Sequence, residues 1–193
     1  FDYSTITDVI LHVKYTARDG GSLLREPAQE SLIDAVNTIG VNNSGFNRLF
    51  SLRQEFPTEW YRLVKAASTD DPRTEEFAIS LRRFPFVFTG KGTKLTITSL
   101  TLFAMPKKDA TRPVVLPDTL QVFAPMIPTA LSVTAETSIG PLRGRTFNAN
   151  SVVVVEKDEN AKWKLALPAS AGAQFQREVD EVLIVCQYDV AKV

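Results

Sequence analysis

The chain has 193 residues, of which 44% are hydrophobic and 23% charged, and its 22 Lys and Arg are balanced by 22 Asp and Glu. A chain of this length can bury about 70% of its unfolded surface, enough for one sizeable core or two small ones without a disulfide or metal. Balanced charge speaks against a nucleic-acid partner, which requires clustered Lys and Arg to displace phosphate counterions, and no window approaches the roughly eighteen apolar residues of a membrane span.

From Phe1 to Ser22 the sequence reads FDYSTITDVILHVKYTARDGGS. Val9, Leu11, Val13 and Tyr15 fall on one side and Asp8, Ile10, His12 and Lys14 on the other, the period of a strand with one buried face, ending at Asp19-Gly20-Gly21. The chain opens on Phe1 without a Met, as expected of a piece of something larger whose export signal lies elsewhere. Ser22 to Gly40 places Leu24, Leu32, Val36 and Ile39 at near-helical spacing. Pro27 removes a backbone donor, so the helix is expected to start near it, and Gly40 is a plausible stop.

The turn cluster Asn42-Asn43-Ser44-Gly45 precedes a strand pattern at Phe46, Arg48, Phe50 and Leu52. Pro57 then opens a short helix with an apolar stripe at Trp60, Leu63, Val64 and Ala67. Ser68 to Arg73 (STDDPR) is the best internal boundary. It divides a strand-helix-strand-helix segment at 1–70 from an antiparallel β-sandwich at 71–193, the two forming one continuous domain or a segment packed on a sandwich.

Strand patterns dominate from there. Phe77, Ile79 and Leu81 alternate; Phe84 to Phe88 and Leu95 to Ile97 flank a Gly90-Lys91-Gly92 turn as hairpin arms; Leu100 and Leu102 continue. Pro106 to Pro128 carries five prolines and suits irregular or edge structure. Further strands are expected at Ala130 to Thr137, Ser151 to Val155, Trp163 to Leu167 and Val179 to Val190. The fold class expected is mainly β, an antiparallel β-sandwich with one or two short helices in the N-terminal third. The likeness of the two terminal strands suits a duplicated sandwich or a chance match of two aliphatic strands equally in kind, and chance is the simpler account.

Candidate chemistry is sparse. Nucleophilic catalysis needs a nucleophile, a base and an orienting group, yet His12 is the one histidine and Cys186 the one cysteine, the latter embedded in the aliphatic run VLIVCQY. Thr89 to Lys94 (TGKGTK) lacks the glycine four residues before a Gly-Lys-Ser/Thr unit that a phosphate loop requires. The acidic pairs Asp70-Asp71, Glu75-Glu76 and Asp158-Glu159 lack the spacing of a calcium loop. No catalytic, cofactor-binding or metal-binding residue is therefore assigned, no cofactor is expected, and an enzyme is not expected. Trp60 to Arg62 (WYR) is the stretch richest in interface-prone residue types, although core packing of the helix is the better explanation of it.

The runs DVILHVKYTARDGG, LFSLRQEFPTEWYRLV (Leu49 to Val64) and RFPFVF (Arg83 to Phe88) resemble the C-terminal region of the A component of bacterial Tc (toxin complex) toxins, the TcB-binding domain. The resemblance covers the first half of the chain well and the rest only in general layout. It implies an assembly module of a large secreted toxin, pentameric and pore-forming, in which this region docks the β-propeller of the TcB-TcC cocoon so that the toxic part enters the channel. The partners implied are a TcB-like β-propeller protein and the other A-component protomers, with no membrane span in this fragment and an extracellular location. The alternative reading is a carbohydrate-binding β-sandwich, which would work through exposed aromatics such as Trp163, Tyr188 or Trp60.

Overall fold

The computed structural model describes residues 14, 16, 18, 20–42, 45–65, 72–85, 88–89, 93–108 and 114–192. Helix α1 (Ser22–Asn42) leads into strand β1 (Phe46–Ser51), short helix α2 (Leu52–Glu55) and helix α3 (Pro57–Val64). Strands β2 (Arg73–Ala78), β3 (Thr93–Pro106), β4 (Gln121–Phe123), β5 (Val133–Ile139), β6 (Leu142–Val153) and β7 (Lys162–Leu167) follow. Helix α4 (Ala169–Glu178) then runs directly into β8 (Val179–Lys192). The expected strand at Val9 to Tyr15 lies outside the described residues.

Two antiparallel sheets make the mainly β fold, one in the order β1-β8-β3-β6-β5 and the other β2-β7-β4. Strand β1, from the expected first segment, pairs with β8 as an edge of the larger sheet. Alternation of side chains gives this sheet an inner face carrying the cross-strand row Phe50, Ile184 and Leu102, with Cys186, Leu100 and Phe147 in the next row. These residues join Phe77, Trp163, Leu165 and Val122 of the smaller sheet in one buried apolar cluster. Ile97 and Leu100 are both buried although three residues apart, because a β-bulge between Ile97 and Ser99 restores the phase of the alternation.

Four expectations need correction. Helix α1 starts at Ser22 and holds Pro27 inside it: the bond from the Arg25 N–H to the Gly21 carbonyl, 3.0 Å, already closes a turn upstream. Residues 21–30 are exposed, so the carbonyl that Pro27 leaves without a donor can turn to water. Of its expected apolar stripe only Val36 is buried; Leu24, Leu32 and Ile39 are exposed.

Of Phe84 to Phe88, expected as a hairpin arm, the described residues 84, 85 and 88 lie in no strand, and among the described residues β3 pairs with β6 and β8. A 3-10 turn at Leu81–Arg83 and Pro85 break the ladder, and the rings pack instead: Phe84 meets Tyr188 edge-on at 4.9 Å and Phe50 at 6.0 Å. The Gly90 to Gly92 turn lies outside the described residues, and a strand rather than a phosphate-loop helix follows it. The helices are also not confined to the N-terminal third, since α4 lies near the C-terminus. Finally, the strand expected at Ser151 begins at Leu142. The proline-rich stretch does carry an edge strand, β4, which among the described residues pairs only with β7.

Candidate interaction surface

The word LFSLRQEFPTEWYRLV folds as the end of β1, α2 and α3, and this segment builds one wall of a groove. Ser51 caps α2 by accepting the Gln54 N–H at 2.9 Å and donates its hydroxyl to the Glu181 carboxylate of β8, tying the turn to the sheet. Pro57 occupies the first turn of α3, where its missing donor costs nothing. Trp60 and Leu63 then point into the core, with Trp60 against Phe175 of α4 at a centroid distance of 6.1 Å.

The far end of α3 is held by a buried cation. Arg73 of β2 donates from Nη1 to the carbonyls of Leu63 at 3.0 Å and Val64 at 3.2 Å, so its charge sits where the helix dipole is negative. The same guanidinium fills the space beside Gly172 of α4, where a Cβ would lie 2.9 Å from it. Arg73 therefore acts as a spacer between the end of α3 and Gly172 of α4.

That groove, of about 280 Å³, opens between α3, the end of α4, the start of β8 and the segment following β3. Trp60, Val64 and Val179 give it an apolar floor, and Tyr61, 54% exposed, stands at its rim. Arg53 pairs with Asp180 at 2.7 Å, and Lys107 donates its Nζ to the Gln176 carbonyl at 2.7 Å. Lys65 donates to the Tyr61 hydroxyl and lies over that ring at 5.0 Å; the hydroxyl holds its ammonium pKa above the ordinary lysine value. Three cations and one carboxylate thus border an apolar floor with Tyr61 exposed at its rim, a composition suited to a macromolecular contact.

Of the sequence-derived candidates, Trp60 and Tyr61 meet here, whereas Arg62 turns away toward Glu75 at 4.0 Å. Arg53 comes from the same Leu49 to Val64 run, whereas Lys107, Gln176 and Asp180 arrive from other segments and carried no sequence signal of their own. Cys186 is fully buried, and burial pushes its thiol well above its ordinary pKa. His12, Asp70 and Asp71 lie outside the described residues.

Glu75 and Glu76 project to opposite sides of β2, Glu76 reaching Lys162 at 3.3 Å, while Asp158 pairs with Arg82. Among the described residues no group of three His, Cys, Asp or Glu side chains could hold a metal ion, and no helix is long and apolar enough to cross a membrane. Trp163 and Tyr188 are 1% and 2% exposed and Trp60 is 8% exposed, so none of them offers the flat ring face that sugar binding requires. The Tyr188 hydroxyl pKa is pushed up to about 12, chiefly by burial.

No family model matches the chain, and no curated protein or solved structure is significantly similar to it.

Proposed function

We propose that this chain is an assembly module of a Tc toxin A component, and that it docks the β-propeller of the TcB-TcC cocoon so that the toxic part can be passed into the channel. In this reading it acts as part of a larger, secreted, pentameric protein. The observation that carries the proposal is that one of the three resembling words, Leu49 to Val64, forms the wall of the aromatic and basic groove and presents Arg53 and Tyr61 at its rim. Tyr, Trp and Arg are the residue types that dominate binding energy at protein contacts. The groove alone is smaller than a stable interface, which buries above about 1,000 Å² in total, so it serves as the anchor point of a broader contact. Docking makes and breaks no covalent bond in this domain.

Light scattering of the full-length A component mixed with its cognate propeller protein tests the proposal. A stoichiometric complex is expected. Failure of the two to associate at micromolar concentration rejects the docking role.

A further inference from the structure

Strand β5 is the last strand of the larger sheet and pairs only with β6 among the described residues. Six of its seven residues are exposed and Thr137 is half-buried. Backbone N–H and C=O groups alternate sides along a strand, so those of every second residue on β5 point away from the sheet. The usual defences of such an edge are thin here. No proline or lysine lies within β5, its one charge is Glu136, and a bulge lies between Val133 and Ala135.

Beside this edge, a groove of about 610 Å³ runs along the inner face of β5 and β6 past Val115. Arg145 lies in its wall with its side chain 7% exposed. It donates to the Pro117 carbonyl at 2.9 Å, to Asp118 and to Glu136 at 3.4 Å, and its Nε has no partner among the described residues. Two residues back on the same face, Arg143 sits opposite Ser138, exposed, with no hydrogen bond or ion pair among the described residues.

We propose that the free edge of β5 receives an extended, acidic segment of a partner protein as the sixth strand of this sheet, with a carboxylate of that segment on Arg143. Strand addition would give the outward backbone groups of β5 their missing ladder. Alternate side chains of the added strand would then fall on the groove side, where a carboxylate can take a two-pronged bond from a guanidinium. The intervening side chains would fall beside Ala135, Thr137 and Ile139 on the opposite face, which favours small or β-branched apolar residues. This edge is built from different elements than the groove at α3, so the inference stands apart from propeller docking.

The test is hydrogen exchange of the full chain with an eight-residue capped peptide of alternating glutamate and valine, and in parallel with its lysine-valine counterpart. Slowed exchange confined to Val133–Ile139 is expected with the glutamate peptide alone. The apparent affinity should fall roughly tenfold in Arg143→Glu, an exposed substitution that leaves the melting temperature in place. Equal protection by both peptides, no protection of β5 by either, or an unchanged affinity in Arg143→Glu would overturn the proposal. Protection of β5 that rises with chain concentration in the absence of peptide would assign the edge to a second copy and overturn it as well.

Discussion

Removing the Arg73 side chain probes the joint between core and groove. In Arg73→Ala the Leu63 and Val64 carbonyls lose their donor at 3.0 and 3.2 Å, in a place where the Leu63 bond is buried from water. Hydrogen bonds from a charged donor contribute about 1.5–3 kcal/mol each, and losing the charge also removes its desolvation cost, so a net loss of about 3 kcal/mol is expected. For a chain of this length each kcal/mol moves the midpoint by about 2–4 °C, giving a fall of about 6–12 °C. Thermal unfolding followed by circular dichroism measures it, and tryptophan emission should report loosening of Trp60 as α3 and α4 lose their spacer. Arg73→Lys, with one terminal nitrogen, should recover only part of the loss. A melting temperature for Arg73→Ala within about 2 °C of the parent would refute the idea that this cation holds α3 in place.

Three further outcomes follow from the packing. Gly144→Ala would set a Cβ 2.5 Å from the Phe103 ring and 2.7 Å from the Leu102 carbonyl oxygen; because the second contact is backbone, no rotamer change relieves it, and a loss of about 1–3 kcal/mol is expected in urea unfolding. Cys186 should resist a thiol reagent at pH 8 in the folded chain and react within the mixing time in denaturant, since burial disfavours its thiolate; rapid labelling of the native chain would contradict its placement. Glu75 has its carboxyl pKa raised by burial, opposed by Arg62 and reinforced by Glu59 and Glu76. A raised folded value means that stability is lost as pH rises through it, so Glu75→Gln should raise the urea midpoint at pH 7 relative to the parent. That advantage should disappear below the unfolded carboxylate value of about 4.3, and an advantage that persists at acidic pH would count against this cause.

Strands with a regular apolar alternation were legible in the sequence: Trp163, Leu165 and Leu167 in β7 and the aliphatic run of β8 fall where their period places them. The bulge between Ile97 and Ser99, by contrast, was not legible in the sequence, where Leu100 and Leu102 simply continue the strand pattern. Helix α4 was not legible, because ASAGAQFQRE buries small side chains and Phe175 against neighbours rather than showing a broad apolar stripe. The first half of β6 was hidden because LRGRT places Arg145 on the inner face, where its partners are Asp118, Glu136 and a loop carbonyl instead of apolar groups. Phe84 and Phe88 misled in the opposite sense, since an aromatic run suits a strand but here fills the space around Tyr188. The groove was legible only at Trp60 and Tyr61. Arg53, Val64 and Lys65 flank that pair in the chain, but Lys107, Gln176, Val179 and Asp180 are distant in sequence, and the pairing of β3 with β8 and the packing of α3 against α4 bring them together.

The most direct test of the docking claim is a calorimetric titration of the full-length A component with its propeller partner, comparing the parent with the exposed double substitution Tyr61→Ala and Lys107→Glu. The expected result is a saturable complex whose dissociation constant rises by roughly thirtyfold or more in the variant, the loss typical of an anchor residue. Identical affinities for parent and variant would contradict the assignment of the groove as the anchor, and no measurable binding by the parent would contradict the docking role itself.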